Sequence, residues 1–305
     1  MTKQPLEAYP SNRLINLGFA AIAFAAFLWA TAAIAASYLF QAGITPTELT
    51  MLRSVIAAIG LGVMSYGRQI GEWRWDWQIF GLGLSLAFVT VTYYVAISRL
   101  PVAVAIVIQY TAPASIVLLN ALRYRRLPAR ATGLAAVIAL LGVMLVSELG
   151  TLHLQLDPFG FAAAILSALF FASYTLLSEA VVNRYGAVGV MLRGFAISSV
   201  FWLIVQFSRG FSPTLLQLHN LPGILFVGIG GTLIPFSLLC WGIQQVKAER
   251  GAIGATLEPV LAAILAWLVL GQALSPKQIV GSLLVLGAIT SLQIQRSRPA
   301  LTPDP

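Results

Sequence analysis

The chain has 305 residues, of which 59% are hydrophobic and only 9% are charged. A soluble domain has about 45–50% apolar and about 25% charged residues, so a soluble globular protein is excluded, as are a disordered chain and a coiled coil. The net charge is +8, but the basic residues are scattered between apolar runs, which is typical of cytoplasmic loops beside anionic lipid and not of a nucleic-acid surface. One cysteine and two histidines exclude an internal disulfide and a multi-histidine metal site.

Ten runs long enough to cross a bilayer follow one another along the chain. A spanning helix needs about 20 mostly apolar residues. The runs cover residues 15–40, 45–66, 78–98, 101–122, 131–149, 158–182, 186–207, 220–246, 251–272 and 276–294. The first run resembles a signal peptide, but its apolar core of about 25 residues exceeds the usual length of about 7–15. The sequence therefore predicts an all-α polytopic membrane protein with ten transmembrane helices.

The positively charged residues decide the predicted orientation. With the N-terminus inside the cell, thirteen Lys and Arg residues fall in cytoplasmic segments and three in outer loops, namely Arg99, Arg209 and Lys277. This asymmetry is the one expected, because cytoplasmic loops of membrane proteins carry an excess of Lys and Arg. Ten spans are an even number, so we expect both terminal tails, 1–14 and 295–305, in the cytoplasm.

The second half of the chain repeats the first. The matching segments are Gly18-Phe19-Ala20 with Gly160-Phe161-Ala162, Met51-Leu52-Arg53 with Met191-Leu192-Arg193, and Ala112-Pro113 with Glu258-Pro259. The repeats cover 15–149 and 158–294, joined by an outer linker at 150–157. Because five spans are an odd number, the second copy has to lie inverted in the membrane. Inverted repeats place a substrate site at their interface and favour alternating-access transport, although duplication alone does not establish it.

The end of the second repeat resembles a known family. The segment Ala255-Thr256-Leu257-Glu258-Pro259-Val260-Leu261-Ala262, continuing through Gly271 and Gln272 to Gly281 and Gly287, is similar to the last two helices of an EamA-like repeat of the drug/metabolite transporter superfamily. The similarity extends over 18–147 and 158–294, and the first repeat departs from it because Ala112 stands where the second has Glu258. The resemblance implies export of small metabolites across a bacterial inner membrane. Over its whole length the chain is most similar to the bacterial aromatic amino-acid exporters.

Three ionisable side chains, Arg53, Arg193 and Glu258, fall deep within the predicted spans. Inserting such a group at the centre of a helix costs about 2.5–3.5 kcal/mol, so each is a candidate functional residue. The two arginines could hold a substrate carboxylate or gate the path, or they could hydrogen-bond helix-end carbonyls as structural residues. Glu258 could bind a substrate ammonium, carry a proton or pair with Arg193. Glu48 and Glu179 lie near span ends, where we expect them to be solvated.

Pro113 and Pro259 interrupt the fourth and ninth spans at equivalent positions. A proline inside a helix removes one backbone donor and frees the carbonyl four residues earlier, here that of Gln109 or Ala255. Exposed backbone of this kind binds substrates in broken-helix transporters, and it makes Gln109 a candidate binding residue. An ordinary kink that shapes the helix bundle is the alternative.

Aromatic residues inside the spans are the third feature. The candidates for lining a cavity are Trp29, Tyr94, Tyr110, Tyr174 and Trp241. A hydroxyl four residues away shares the helix face of three of these rings, in the pairs Thr90 and Tyr94, Tyr174 and Ser178, and Ser237 and Trp241. Packing and lipid contact are the alternative roles. A cavity lined by aromatic residues with few charges fits a flat, mostly apolar substrate with a small polar head.

Motifs of the common energy-coupling and hydrolytic sites do not occur. The chain has no Walker loop, no His-Glu-x-x-His helix and no Gly-x-Ser-x-Gly elbow. We therefore expect a non-enzyme without metal or cofactor, a monomer or weak oligomer in a bacterial inner membrane, whose partners are membrane lipid and a small-molecule substrate and not nucleic acid. The hypothesis is an alternating-access exporter of amino acids, aromatic ones in particular. The alternatives are a multidrug or cation exporter that uses Glu258, and an intramembrane lipid-modifying enzyme that uses His153 and His219.

Overall fold

The computed structural model describes residues 11–67, 76–100, 102–124, 129–147, 157–270 and 274–294. Within these ranges the chain forms twelve α-helices and no β-strand, which confirms the predicted all-helical class. Most of the predicted outer linker, both ends of the chain and the residues His153, Gly271 and Gln272 lie outside the described residues.

The twelve helices divide equally between the two predicted repeats. The first six are α1 Asn12–Gln41, α2 Pro46–Ser65, α3 Trp77–Arg99, α4 Val102–Gln109, α5 Ala112–Tyr124 and α6 Arg130–Val146. The other six are α7 Pro158–Arg209, α8 Leu221–Gly228, α9 Ile234–Val246, α10 Ala248–Ala255, α11 Leu257–Leu270 and α12 Pro276–Ile294. A π-helical turn, Ile229–Leu233, joins α8 to α9, and two short 3-10 turns, Pro213–Leu216 and Leu218–Asn220, precede α8.

Local sequence explains where several helices begin. Thr45 caps α2 in a capping box with Glu48, and Pro46 supplies the first helical residue. Asp76 caps α3 by accepting a hydrogen bond from the Gln78 amide, and Asp157 caps α7 in the same way. Each of these side chains satisfies backbone donors that the first turn of a helix leaves unpaired.

The longest helix and the two proline-containing spans are interrupted. Helix α7 has 52 residues, but Gly186 within it has a φ of 67°, so two helical segments meet there. This break agrees with the predicted separation of the runs 158–182 and 186–207. The fourth span breaks at Tyr110 and Thr111, between α4 and α5, and the ninth breaks at Thr256, between α10 and α11. Both breaks precede the prolines by a few residues, at the carbonyls that the prolines leave unpaired.

Several helices are long and apolar enough to cross a membrane, by length and composition. In the described part of the chain these are Asn12–Gln41, Pro46–Ser65, Trp77–Ile97, Pro158–Arg209 and Leu218–Val246, with shorter apolar helices at Ala105–Ala121, Arg130–Val146 and Pro276–Leu292. The fold is thus that of a polytopic membrane protein. The count of ten spans, the inversion of the second repeat and the cytoplasmic position of the termini stay predictions.

Small residues let the helices approach each other closely. A Cβ atom added at Gly142 in α6 would lie 2.7 Å from the Gly281 carbonyl oxygen of α12, and one added at Gly281 would lie 2.6 Å from the Gly142 carbonyl oxygen. Helices α1 and α9 meet in the same manner, because a Cβ at Gly242 would lie 2.6 Å from the Ile22 side chain. Close backbone approach through small residues is how helices associate in a lipid environment.

Helix α1 runs between two ends of the bundle, which we name the Lys247 end and the Ser212 end. At the Lys247 end, the backbone of Gly18 packs against Gln245 of α9, two residues before Lys247. At the Ser212 end, the Gly43 carbonyl accepts a 3.3 Å hydrogen bond from the Thr214 hydroxyl. These two ends serve as reference points for the position of the site.

Candidate functional site

A cavity of about 90 Å³ lies inside the bundle. One water needs roughly 10–15 Å³ of such space, so the cavity has room for a small solute. Its walls come from both repeats and are formed by Trp29, Ala32 and Ala33 of α1, Arg53 of α2, Val89, Thr90, Tyr93 and Tyr94 of α3, Gln109 and Tyr110 at the α4–α5 break, Phe171 of α7, Val227, Gly231 and Phe236 around the π turn, and Glu258 of α11.

Arg53 is the cation of this wall. Its side chain is only 7% exposed and donates from Nε to the Thr232 hydroxyl at 2.8 Å. Its two terminal nitrogens donate to the Tyr94 hydroxyl at 3.3 Å and to the Gly231 carbonyl at 3.4 Å. The guanidinium carbon lies 5.5 Å from the centroid of the Phe236 ring. The guanidinium has five N–H donors in a rigid fork, and these three contacts use only part of them.

The π turn explains how Arg53 is held. In a π turn the hydrogen-bonding pattern lengthens by one residue, which changes the direction of nearby backbone groups. Here the Thr232 hydroxyl donates to the Val227 carbonyl, five residues earlier, at 2.7 Å, and the Gly231 carbonyl faces Arg53. The turn between α8 and α9 therefore supplies two acceptors, the Thr232 hydroxyl and the Gly231 carbonyl, to a cation of α2.

Glu258 is the acid of the same wall. Its carboxylate accepts a 2.7 Å hydrogen bond from the Tyr110 hydroxyl. Tyr110 lies at the break between α4 and α5, three residues before Pro113, and Glu258 directly precedes Pro259 just after the break between α10 and α11. The two interrupted helices thus meet through these side chains, one from each repeat.

Aromatic rings form much of the remaining wall. Trp29 and Phe236 meet edge to face with their centroids 5.1 Å apart, and Tyr94 meets Phe40 in the same geometry at 5.1 Å. Phe171 of α7 and Phe236 of α9 line the cavity together, and we name them the aromatic floor. The cavity therefore combines one cation, one acid and several rings.

The structure brings together six of the residues predicted as site candidates: Trp29, Arg53, Tyr94, Gln109, Tyr110 and Glu258. The other five do not line the cavity. Tyr174 is fully buried behind the aromatic floor, while Trp241 lies on α9 with its carbonyl facing Gln245. Arg193 donates to the Gly189 carbonyl of its own helix at 3.0 Å and covers the Tyr185 ring at 4.5 Å. Pro113 and Pro259 are buried beside the helix breaks.

Sequence reasoning missed Phe236, Phe171 and Gly231 as cavity residues. Apolar residues and glycines in an apolar span carry no signal that separates a cavity wall from a packing contact. The Pro235-Phe236 pair after two glycines was the available hint of irregular backbone.

The ends of the bundle hold further polar contacts. Glu48 is 1% exposed and not solvated as predicted, because it accepts a 2.6 Å hydrogen bond from the Ser212 amide in a loop distant in sequence. Glu179, half-buried, accepts from the Ala248 amide at 2.8 Å, so it too is held in a specific contact at the Lys247 end. These contacts tie helices together at each end of the cavity.

Asp76 organises a second contact at the Lys247 end. Its carboxylate pairs with Arg184 at 2.7 Å and accepts from the Tyr185 hydroxyl at 3.0 Å. Burial raises the pKa of Asp76, but the hydrogen bonds from Gln78 and Tyr185 and the Arg184 charge together lower that pKa below its ordinary value. Since the Tyr185 ring also lies under Arg193, this network includes the arginine that does not reach the cavity.

Sites of other chemistry have no support in the described residues. No group of three or more His, Cys, Asp or Glu in the described ranges could hold a metal ion. His219 is exposed in a 3-10 turn and does not line the cavity. The proposed lipid-modifying site also needed His153, which lies outside the described residues.

Comparison with known proteins gives consistent matches along nearly the whole chain. The model of the EamA-like transporter family matches twice, over residues 16–148 and 158–292. Protein PecM of Dickeya dadantii is 26% identical over 275 residues, 88% of this chain and 90% of PecM. The uncharacterized inner membrane transporter YicL of Salmonella typhimurium is 25% identical over 93% of this chain and 97% of YicL.

Two further matches are to a named exporter and to a crystal structure. The threonine/homoserine exporter RhtA of Escherichia coli K12 is 26% identical over 197 residues, 65% of this chain and 63% of RhtA. A protein crystal structure aligns with a TM-score of 0.70 at 22% identity, over 94% of this chain and 99% of that chain. The identity of that structure is low, so the match shows a shared fold alone.

Proposed function

Because this chain belongs to the EamA-like transporter family, we propose that it exports amino acids, aromatic ones in particular, by alternating access through the cavity between its two repeats. The family membership confirms the resemblance to the drug/metabolite transporter superfamily on which the sequence prediction rested. It is a membrane transporter, and the proposal concerns its substrate, its direction and its mechanism.

The observation that carries the substrate proposal is that Arg53 and Glu258 line one cavity. A zwitterionic amino acid has a carboxylate and an ammonium, and it needs one partner of each sign. Arg53 can donate two parallel hydrogen bonds to the carboxylate, because its guanidinium has donors beyond those that hold it to the π turn. The Glu258 carboxylate can accept from the ammonium in place of, or beside, the Tyr110 hydroxyl. A site with one charge of each sign is neutral overall, as is the proposed substrate.

The aromatic wall supports the choice among amino acids. Trp29, Tyr93, Tyr94, Phe171 and Phe236 offer ring faces and edges that an aromatic side chain can contact in edge-to-face or offset geometry. RhtA is named for threonine and homoserine, which are also zwitterionic amino acids, so a related protein handles the same polar head. The wall and the two charges together favour an amino acid with a flat, apolar side chain.

Alternating access is supported by the duplication of the chain. The family match falls once on each half, and the cavity takes its cation from the first half and its acid from the second. Two inverted halves around one site have two equivalent packings, open to opposite sides. Ten spans, cytoplasmic termini and a bacterial inner membrane complete the proposal, and the excess of Lys and Arg in the predicted cytoplasmic segments supports it.

Counterflow in proteoliposomes tests the substrate. Vesicles loaded with unlabelled L-phenylalanine should accumulate labelled L-phenylalanine with saturable kinetics. Phenethylamine, which lacks the carboxylate, and 3-phenylpropionate, which lacks the ammonium, should each compete at least about tenfold more weakly, since each loses one charge-assisted interaction of about 1.5–3 kcal/mol. Absence of saturable flux for every amino acid tested would contradict the proposal.

The same assay separates the second candidate, a multidrug or cation exporter. Glu258 favours this candidate, since its carboxylate could hold an organic cation in the cavity. Arg53 in the same wall argues against a cation exporter, because its positive charge repels a cationic ligand. Competition by phenethylamine equal to or better than that by phenylalanine would favour the cation exporter over the amino-acid exporter.

A further inference from the structure

Two hydroxyl groups lie buried behind the aromatic floor without an oxygen or nitrogen hydrogen-bond partner. The Tyr174 and Ser178 hydroxyl oxygens of α7 are fully buried and make no hydrogen bond to an oxygen or nitrogen atom of the described residues. The Ser178 hydroxyl lies beside the Cys240 thiol, which is only a weak hydrogen-bonding group. An unpaired buried hydroxyl costs about 1–3 kcal/mol, so native structures rarely retain one without a reason. Here two occur one helical turn apart, on the same face of α7.

Neighbouring residues show that the helix itself could have satisfied such a group. The Thr175 hydroxyl, next to Tyr174, donates to the Phe171 carbonyl at 2.7 Å, and the Ser199 hydroxyl donates to the Phe195 carbonyl at 2.6 Å. This bond to the preceding turn is the ordinary solution for a buried hydroxyl on a helix. Ser178 does not make this bond, and the weak Cys240 thiol beside it leaves most of its hydrogen-bonding capacity available.

The pair lies between the cavity and the Lys247 end. The Tyr174 ring contacts both rings of the aromatic floor, with centroids 6.0 Å from Phe171 and 5.5 Å from Phe236. One residue after Ser178, Glu179 already contacts the Ala248 amide of the Lys247 end. A solute that leaves the cavity towards that end would therefore pass these hydroxyls next.

Helix α9 covers the pair, and the backbone is irregular at both of its ends. It carries Phe236 of the aromatic floor and Cys240, which is fully buried beside Tyr174 and Ser178. The helix follows the π turn and ends at Lys247, a non-glycine residue with a φ of 76°. Irregular backbone at both ends lets a short helix shift as a unit, because hinge residues absorb the dihedral changes.

We propose that the Tyr174 and Ser178 hydroxyls form a second binding station for the polar head of the substrate, exposed when α9 moves and the Lys247 end opens. Hydroxyls donate and accept, so the pair can bind either the carboxylate or the ammonium of an amino acid. In the packing described here the station is closed and the cavity on the other side of the floor is formed. This inference rests on the proposed function for the identity of the ligand but not for the opening itself.

The native cysteine tests the opening without any substrate. Cys240 is the single cysteine of the chain, so a membrane-impermeant methanethiosulfonate reagent applied to the full-length protein in proteoliposomes reports on this position alone. We expect Cys240 to react from the Lys247 face at least about tenfold faster than from the opposite face. A Lys247→Cys variant in a Cys240→Ser background identifies that face. Equal reaction from both faces, or no reaction while the protein transports, would overturn the proposal.

Removing the hydroxyls tests the binding role. Tyr174→Phe and Ser178→Ala delete hydroxyls that have no oxygen or nitrogen partner in this packing, so the Tm should stay about the same or rise. For labelled L-phenylalanine, the KM measured from the Lys247 face should rise about tenfold, while the KM from the Ser212 face stays within about twofold. Thr175→Val, which removes the paired neighbouring hydroxyl, is the matched control and should leave both KM values unchanged.

The outcomes separate the two proposals. If Tyr174→Phe and Ser178→Ala leave the KM values from both faces unchanged, the hydroxyl pair does not bind the substrate and the proposed second station is wrong. An equal rise from both faces would assign the pair to the main cavity and overturn it as well. If no amino acid is transported but Cys240 still reacts from one face only, the opening stands while the proposed substrate fails.

Discussion

Arg53 and Arg193 follow the same Met-Leu pair at corresponding positions of the two repeats, yet only Arg53 borders the cavity. Arg53 donates to groups of two other helices, among them Thr232 of the π turn. Arg193 instead contacts a carbonyl of its own helix and the Tyr185 ring, within the Asp76 network. The repeated sequence thus places an arginine in the cavity wall in one half and in a helix-packing contact in the other.

The proline segments have diverged in the complementary direction. Glu258 precedes Pro259 in the second repeat, whereas Ala112 precedes Pro113 in the first. The first repeat therefore supplies the cation of the cavity and the second supplies the acid. The two halves therefore contribute charges of opposite sign to one cavity, and the predictions below test what this difference does.

The largest effect is expected from Arg53→Gln. It removes the donor of the substrate carboxylate, a charge-assisted interaction worth about 1.5–3 kcal/mol, so the affinity for L-phenylalanine should fall about 10- to 150-fold. Arg193→Gln should change it less than about threefold, because Arg193 lies outside the cavity wall. Direct binding of labelled L-phenylalanine to the purified protein measures both. If the two variants lose similar amounts of affinity for L-phenylalanine, the two arginines do not have the different roles described here.

Glu258→Gln should have the next largest effect. It keeps the shape of the side chain and a hydrogen bond with Tyr110 but removes the charge that faces the ammonium, so phenylalanine counterflow should weaken about tenfold. Competition by 3-phenylpropionate, which has no ammonium, should not weaken. Tyr110→Phe is the control that removes the neutral partner of Glu258 and should reduce counterflow less. If counterflow by the Glu258→Gln variant is unchanged, Glu258 does not bind the substrate.

A smaller effect is expected from Thr232→Val. The substitution keeps the volume of the side chain but removes the hydroxyl that accepts from Arg53 Nε. One hydrogen bond to a charged group that only orients the binding residue should cost about 1 kcal/mol in binding, so the KM should rise about fivefold. Kinetics of counterflow measure this rise. An unaltered KM would show that the π turn does not position Arg53.

The smallest effect on transport is expected from Asp76→Asn. This substitution changes the contact network of Tyr185 and Arg193, outside the cavity. The pKa of Asp76 is lowered in the folded protein, so its stabilisation is complete above its ordinary pKa of 3.8 and is lost as the pH falls through the lowered value. The Tm of the variant should lie below that of the wild type at pH 5–7, and the difference should shrink below pH 3.8. Counterflow at pH 7 should change less than about twofold. A Tm difference that grows in acid would contradict this assignment.

Much of the fold followed from the sequence, because lipid requires long apolar helices with internally paired backbones. The all-helical class and the family resemblance were predicted and are confirmed, and α7 is interrupted at Gly186, the first residue of the predicted run 186–207. The apolar runs did not reveal the π turn, since it depends on how α8 and α9 pack against α2.

The position of the site was less predictable. Charge and irregular backbone pointed to Arg53, Gln109 and Glu258, and these residues do line the cavity. The spacing of Tyr174 and Ser178 placed them on one helix face but could not show that the face is covered by α9. Glu48 was expected in solvent because its partner, Ser212, lies 164 residues away and only the fold brings it near.

The central claim is that Arg53 and Glu258 bind opposite ends of one substrate. It is tested most directly by comparing the affinities of three ligands. The Kd values of L-phenylalanine, phenethylamine and 3-phenylpropionate should be measured for the wild type, Arg53→Gln and Glu258→Gln. The account predicts that Arg53→Gln weakens phenylalanine and 3-phenylpropionate but not phenethylamine, and that Glu258→Gln weakens phenylalanine and phenethylamine but not 3-phenylpropionate. If both substitutions weaken both analogues to the same extent, the two charges do not hold separate ends of the ligand and the account is wrong.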